Sequence, residues 1–188
     1  MIDYLIVGAG LAGISFSEVA LKNNKTIYVL DDNSQNSSKI AGGLYNPVIL
    51  KRFSEVWQAQ AQLVLMNEFY DSLKQKINVD FDFKKPILRK FFSIEEQNNW
   101  FAASDKAALS TFLSTDLIYK KYKGIDAPFG YGEVLQTGYV DTALLLKIYK
   151  DFLISNNLFR EESFDYDELR LQNDTIIYKD IEAKHILF

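Results

Sequence analysis

The first thirteen residues, MIDYLIVGAGLAG, constrain the fold more than any other stretch of the chain. The short apolar run before Gly8 is typical of a buried strand in a parallel sheet, and three glycines follow it at the spacing GxGxxG. Apolar and small residues from Leu11 to Leu21 predict a helix, and TIYVLDD predicts a second buried strand. The stretch therefore predicts a βαβ unit with the glycines at its first turn.

Each glycine of this turn has a physical role in a dinucleotide site. Gly8 permits the tight turn, Gly10 leaves the backbone open to a pyrophosphate, and Gly13 lets the helix lie close to the strand. The N-terminus of the helix presents N–H groups and a partial positive charge to the phosphates. The predicted phosphate-binding segment consists of Gly8, Ala9, Gly10, Leu11, Ala12 and Gly13.

Two acids end the second predicted strand. Asp31 stands 18 positions after Gly13, close to the roughly 20 expected for the acid that hydrogen-bonds the ribose, and Asp32 follows it. An acid at this position favours a free 2′-hydroxyl, and so FAD or NAD over NADP. An ordinary strand-turn-helix with incidental glycines is the alternative, and the acid at this spacing argues against it.

Composition narrows the classes of partner and chemistry. A net charge of −4 over 188 residues favours small molecules over nucleic acid or anionic membranes. The absence of cysteine excludes disulfides and thiolate metal sites, so redox chemistry would require a cofactor; no metal site is predicted. The N-terminal apolar run is short and broken by glycines, which predicts a cytoplasmic protein without an integral membrane segment.

Three segments, YLIVGAGLAGIS, VLDD and SSKIAGGLYNPV, together resemble the N-terminal portion of the FAD-dependent oxidoreductases of the D-amino-acid oxidase (DAO) family. The resemblance implies an α/β flavoprotein: a Rossmann-like FAD/NAD(P)-binding domain with an inserted α+β substrate domain. It implies that the loop after the second strand runs beside the flavin and that Phe164 contacts the adenine through its backbone. The flavin-side residues so implied are Ser38, Lys39, Ala41, Gly42, Gly43 and Leu44.

The same resemblance implies the domain order. Residues 1–44 and 138–188 would form the FAD-binding domain, and residues 45–137 the inserted substrate or cap domain. The middle of the chain lacks the βαβ rhythm: it contains a long helical pattern, then FDFKKPILRKFFS, whose alternation predicts a pair of strands. Ser93 with Glu96, and Asp141, are predicted to cap two helices, and LRLQNDTIIYKD predicts two strands joined by an Asn-Asp turn.

The activity implied is oxidation of a C–N bond of an amino acid or related amine by hydride transfer to flavin. A carboxylate-bearing substrate favours arginine, so Arg52 and Arg89, with Tyr45 beside the flavin-side loop, are the candidate substrate-binding residues. No catalytic residue is assigned. The chain resembles only about the first half of the family pattern, so we expect it to be truncated and inactive alone, with an uncovered sheet edge that favours a homodimer.

Three alternatives remain open at this point. The chain could be a non-catalytic or degenerate dinucleotide-binding protein, or it could depend on NAD rather than FAD, because both cofactors share the glycine motif. Within the family, a tRNA-modifying oxidase or a thiamin-pathway glycine oxidase is a further alternative, and the acidic composition disfavours tRNA.

Overall fold

The elements lie in residues 1–173 and 175–188, which the computed structural model describes. In chain order they are β1 (Ile2–Val7), α1 (Leu11–Lys22), β2 (Ile27–Asp31), α2 (Ser37–Ile40), β3 (Leu44–Tyr45), β4 (Val48–Ile49), β5 (Ser54–Glu55), α3 (Ala59–Ile77), β6 (Asp82–Lys84), β7 (Ile87–Lys90), α4 (Ile94–Ser104), β8 (Leu113–Ile118), β9 (Tyr131–Val134), β10 (Gly138–Val140), α5 (Thr142–Ser155), β11 (Phe159–Glu161), β12 (Leu169–Gln172), β13 (Thr175–Tyr178) and β14 (Ile181–Leu187). No helix in the described ranges is long and apolar enough to cross a membrane.

The chain divides into two compact units. The first comprises Met1–Gly42, Gln75–Phe81 and Asp141–Phe188, and the second comprises Gly43–Lys74 and Asp82–Val140. The main difference from the predicted division is the segment Gln75–Phe81. It belongs to the first unit because the carbonyl of Phe81 accepts a hydrogen bond from the Asp141 N–H at 2.7 Å, and because Lys76 Nζ donates to Glu18 Oε2. The role of the second unit as an inserted substrate domain stays a prediction.

A six-stranded sheet organises the first unit, in the order β11-β2-β1-β14-β13-β12. The first four strands are parallel, and β13 and β12 continue the sheet antiparallel. Leu5 of β1 and Leu30 of β2 are fully buried, as the apolar runs of parallel strands predict. The α/β class with a parallel sheet is thus confirmed. The predicted turn between β12 and β13 includes Asn173, which has a positive φ of 48°, and Asp174, which lies outside the described residues.

Helix α5 is capped as the sequence predicts, but its buried face differs from the one that the apolar spacing predicts, which consists of Leu144, Leu145, Ile148 and Phe152. Asp141 Oδ1 accepts a hydrogen bond from the Leu144 N–H at 3.0 Å. The buried residues include Leu145, Tyr149 and Leu153, whereas Leu144 is only partly buried. The predicted set started one position too early, because an apolar run of three leucines fits two neighbouring helical faces equally well.

Two three-stranded antiparallel sheets and a hairpin form the second unit. One sheet has the order β3-β10-β6, the other β7-β9-β8, and β4 pairs with β5. The two strands predicted in FDFKKPILRKFFS form, but they do not pair with each other, because β6 pairs with β10 and β7 pairs with β9. Pro86 separates β6 from β7, and the chain changes sheets there.

Helix α4 packs on the hydrophobic core of the second unit, in which Phe91, Trp100, Phe112 and Val134 are buried. Its predicted N-cap is confirmed: Ser93 Oγ accepts from the Glu96 N–H at 3.1 Å. Glu96 Oε2 accepts a hydrogen bond from the Phe92 N–H at 2.8 Å, one residue before the N-cap N–H that a capping box requires. The helix start was therefore predictable, and the direction of the Glu96 side chain was not.

Candidate functional site

The turn between β1 and α1 needs glycine at two of its three glycine positions. Gly8 has a φ of +104°, a conformation that side chains rarely permit. A Cβ on Gly13 would lie 2.0 Å from the carbonyl oxygen of Gly8, so helix α1 approaches the end of β1 too closely for any other residue. Gly10 is different, because a Cβ there would meet only Ser38 Oγ, at 3.4 Å. The missing Gly10 side chain therefore leaves open space rather than relieving a backbone clash.

Helix α1 begins without a side chain that neutralises its N-terminus. Its N-cap is Gly10, which has extended backbone and no side-chain capping bond, and no acid lies in the first turn. The first N–H groups of a helix lack partners within the helix and carry a partial positive charge. This end of α1 is therefore suited to an anionic group.

Asp31 ends β2 beside the same turn. One oxygen of its carboxylate accepts a hydrogen bond from the Ala9 N–H, and the other accepts from the Asn33 N–H at 2.6 Å. These two bonds fix the carboxylate at the glycine turn. Each carboxylate oxygen can accept a further hydrogen bond, so Asp31 remains able to bind a hydroxyl of a ligand.

Two more carboxylates stand near Asp31, and both are held ionised. Hydrogen bonds from Ser34 lower the pKa of Asp32, whose Oδ1 lies 2.9 Å from the Ser34 nitrogen. The hydrogen bond from Lys179 lowers the pKa of Glu162. The acid-rich side of the turn is therefore negatively charged at neutral pH.

These features border one cavity of about 690 Å³, which lies wholly in the first unit. This volume is within the range of small-molecule and cofactor sites. Of the predicted cofactor residues, those that line the cavity are Gly8, Ala9, Gly10, Asp31, Asp32, Ser38, Lys39 and Phe164. Those outside its lining are Leu11, Ala12, Gly13, Ala41, Gly42, Gly43 and Leu44. The assignment of all fifteen as cofactor ligands stays a prediction.

The glycine pair of the flavin-side loop has another physical explanation. Gly43 has a φ of +63°, and a Cβ there would lie 1.9 Å from the carbonyl oxygen of Val140. The Gly43 carbonyl accepts a hydrogen bond from the Val140 N–H at 3.0 Å. Close pairing with β10 therefore suffices to explain this glycine. Gly42 has open space around its Cα, and Leu44 is exposed.

Phe164 lies after β11 rather than within a strand, as the element bounds show. Its ring stacks on Tyr178 with the ring centroids 4.5 Å apart, and Tyr178 is fully buried. Tyr166, which the sequence analysis missed, contacts Phe164 edge-on at 5.1 Å and also lines the cavity. An aromatic wall therefore faces the cavity at this point.

Two lysines of α5 were also missed. Lys147 and Lys150 line the cavity, and Lys150 Nζ donates to Asn33 Oδ1 and to Glu161 Oε2, each at 2.9 Å. Their helical spacing places them on one side of α5. That spacing was visible in the sequence, but nothing in it indicated that α5 borders the glycine turn.

The three candidate substrate-binding residues lie in the second unit. Tyr45 donates through its hydroxyl to Asp82 Oδ1 at 2.8 Å, and burial raises the pKa of Tyr45. Arg52 and Arg89 both line a separate cavity of about 460 Å³. Arg89 is ion-paired with Glu96. The structure thus brings the two arginines together at one cavity and leaves Tyr45 outside its lining.

The chain is similar to several proteins of known structure. No family model matches the sequence. The chain is similar to glycine oxidase from Geobacillus kaustophilus, with 16% identity and a TM-score of 0.70 over 98% of this chain and 54% of that chain. It is similar to L-amino acid deaminase from Proteus vulgaris, with 13% identity and a TM-score of 0.66 over 99% and 46% of the two chains. L-α-glycerophosphate oxidase from Mycoplasma pneumoniae with FAD bound gives 15% identity and a TM-score of 0.61 over 98% and 53%.

The chain shares the fold of these enzymes. At such low identities the likeness shows the fold alone, and the chain spans about half the length of the structures that it matches. The resemblance to oxidoreductases of the D-amino-acid oxidase type is thereby confirmed at the level of the fold.

Proposed function

We propose that this chain binds FAD at the cavity of the glycine turn and forms the cofactor-binding part of an oxidoreductase. The observation that carries the proposal is the convergence of three features on one cavity: the Gly8–Gly10 turn, the uncapped N-terminus of α1 and the carboxylate of Asp31. The solved structure with FAD bound, which has the same fold, supports this choice of cofactor.

The residues present fit a dinucleotide. The open space at Gly10 would admit a pyrophosphate to the N–H groups at the start of α1. Asp31 would accept hydrogen bonds from the ribose hydroxyls, as its position at the end of β2 suits. Phe164 and Tyr166 would offer apolar surface to the adenine. FAD, when bound, would supply a hydride acceptor, and the protein would supply position and electrostatics.

The substrate class is a second step of the proposal. The neighbours named a glycine oxidase and an L-amino acid deaminase favour an amino acid or related amine, oxidised at its C–N bond. The neighbour named a glycerophosphate oxidase makes a hydroxyl substrate the competing candidate. Arg52 and Arg89 stay the proposed substrate-binding residues, because a guanidinium binds a carboxylate through two parallel hydrogen bonds.

Titration of the purified chain with FAD, followed by flavin fluorescence and calorimetry, tests the cofactor. We expect saturable binding that Asp31→Ala weakens by about tenfold or more, since a hydrogen bond to a charged group is worth about 1.5–3 kcal/mol. The control is Asp180→Asn, which removes an exposed carboxylate that does not line the cavity. NAD is titrated in parallel. Saturable binding of NAD with no binding of FAD would contradict the proposal.

The substrate step needs the intact protein, in which the flavin can be reduced anaerobically by candidate substrates. Bleaching of the flavin absorbance by amino acids or secondary amines is the expected result. Bleaching by hydroxy compounds alone would contradict the amine proposal and favour a hydroxyl substrate. FAD binding without reduction by any of these compounds would favour a non-catalytic role.

A further inference from the structure

The second unit contains a strongly basic cavity of about 460 Å³. Its lining includes four cationic side chains, Lys51, Arg52, Arg89 and Lys106, and one carboxylate, Glu96. The cavity therefore carries three excess positive charges, whereas the whole chain has a net charge of −4. Such a concentration of one sign in a concave surface raises the local concentration of ions of the other sign.

Glu96 balances one of these four cations, Arg89, and both of its oxygens are engaged. One oxygen accepts from Arg89 Nη2 and from Arg89 Nε at 3.0 Å, and the other accepts from the Phe92 N–H at 2.8 Å. Within residues 1–173 and 175–188, no carboxylate lies at ion-pair distance from Lys51, Arg52 or Lys106. Glu96 thus holds Arg89 in place and leaves three cations without a counter-charge.

Arg52 is presented by a loop with a fixed backbone. The loop joins β4 to β5, and its turn is closed by a hydrogen bond of 3.0 Å from the Arg52 N–H to the Ile49 carbonyl. The next residue, Phe53, has a φ of +45°, which is rare for a bulky side chain. Its ring packs edge-on against buried Trp100, with the centroids 5.6 Å apart. Packing of the partly buried Phe53 ring therefore holds a strained turn on which Lys51 and Arg52 are exposed.

We infer that this cavity binds a small oxyanion of more than one negative charge, a phosphate-bearing compound or a polycarboxylate. Guanidinium groups match both chemistries through paired N–H donors. Three excess positive charges exceed what the single carboxylate of an amino acid would balance. The inference does not rest on the proposed cofactor, because no residue of the glycine turn lines this cavity. A polyanion here would take the place of the amino-acid carboxylate as the ligand of Arg52 and Arg89.

Calorimetric titration of the full chain with inorganic pyrophosphate, and separately with citrate, tests the inference. We expect saturable binding of at least one of them, weakened about tenfold by Arg52→Gln, since an arginine–oxyanion bond of this kind is worth about 1.4 kcal/mol or more. The double variant Lys51→Gln/Lys106→Gln should weaken it as well. The matched control is Lys121→Gln/Lys123→Gln, which removes two exposed charges that do not line the cavity.

Pyrophosphate could also occupy the N-terminus of α1, so Gly10→Val is titrated alongside. Binding that Arg52→Gln weakens and Gly10→Val leaves unchanged supports the inference, and the stronger of the two anions identifies the ligand chemistry. Three results would overturn it: no saturable binding of either anion, binding that only Gly10→Val abolishes, or equal weakening by the two double-lysine variants. None of these depends on whether FAD binds.

Discussion

The glycines of a single motif have different physical roles at the scale of the residue. Gly13 prevents a clash with the backbone, whereas Gly10 provides empty space next to a cavity. Both roles are consistent with the sequence pattern, and only the surrounding atoms separate them. A substitution at Gly13 should therefore affect the stability of the fold, whereas one at Gly10 should affect ligand binding.

We expect Gly13→Ala to lower the free energy of unfolding by about 3 kcal/mol, because its Cβ would lie 2.0 Å from the Gly8 carbonyl oxygen. The gain in helix propensity, about 1 kcal/mol, is too small to compensate. Gly10→Ala should cost no more than about 1 kcal/mol, and it should weaken FAD binding. Urea unfolding of the wild type, Gly13→Ala and Gly10→Ala measures the difference in the free energy of unfolding. Equal stabilities of the two variants would contradict the close approach of α1 to β1.

A single exposed ion pair predicts a pH effect. Arg160 binds Asp180 through two hydrogen bonds of 2.8 and 2.7 Å and lowers the pKa of Asp180 to about 2. The folded pKa is below the unfolded value of about 3.9. The pair therefore stabilises the fold above pH ~4, and the contribution is lost as pH falls toward 2.

Thermal unfolding from pH 2 to 5 checks this effect. The melting temperature of the wild type should exceed that of Asp180→Asn above pH ~4, and the two should converge near pH 2. Asp126→Asn, at an exposed aspartate without an ion pair among the described residues, should not change the pH dependence in this way. A constant difference between wild type and Asp180→Asn across the range would disprove the linkage.

At the scale of the element, one buried carboxylate joins three helices. Glu18 of α1 is 1% exposed. Its Oε2 accepts a hydrogen bond from Lys76 of α3 at 2.6 Å and another from the Tyr149 hydroxyl of α5 at 3.0 Å. Lys76 Nζ also lies 4.1 Å from the centroid of the Phe152 ring. Removal of Lys76 would take away a cationic partner of this buried charge, which is the costly way to break such a pair.

Lys76→Met should therefore lower the free energy of unfolding by about 2–4 kcal/mol. The double variant Glu18→Gln/Lys76→Met should recover most of that loss, because the buried charge is removed as well. Lys147→Met breaks the exposed pair with Asp151 and should cost less than about 1 kcal/mol. Denaturant unfolding of these three variants and the wild type provides the comparison. A double variant no more stable than Lys76→Met would show that the charge is not the cause.

Local elements were predictable from the sequence, and their long-range partners were not. Ser93 and Asp141 cap their helices because a cap depends on residues three positions away. Strands β6 and β7 were predicted to pair with each other, yet each pairs with a strand more than forty residues further along the chain. Alternation of side chains indicates a strand and does not identify its neighbour.

At the scale of the whole molecule, the same distinction explains which parts of the site were found. The contiguous βαβ unit contains Gly8, Gly10 and Asp31, and the sequence predicted all three at the cavity. Lys150 and Tyr166 come from segments more than a hundred residues away, which the parallel pairing of β11 with β2 helps to bring to the cavity. Sequence spacing alone does not predict such pairing.

The two proposed ligands predict two separate patterns of hydrogen exchange. A ligand that binds only the folded state protects the backbone that it contacts and stabilises the fold by about 2.7 kcal/mol at a hundredfold excess over its dissociation constant. FAD should slow exchange at Gly8–Gly10, at Asp31–Ser34 and at Ser163–Phe164, which border the first cavity. Pyrophosphate or citrate should slow exchange at Leu50–Phe53, which borders the second. Protection of Leu50–Phe53 by FAD alone, with no change at the glycine turn, would contradict both assignments, because the flavin would then occupy the basic cavity. Arg52→Gln serves as the control, since it should shift the oxyanion pattern to about tenfold higher anion concentration and leave the FAD pattern unchanged.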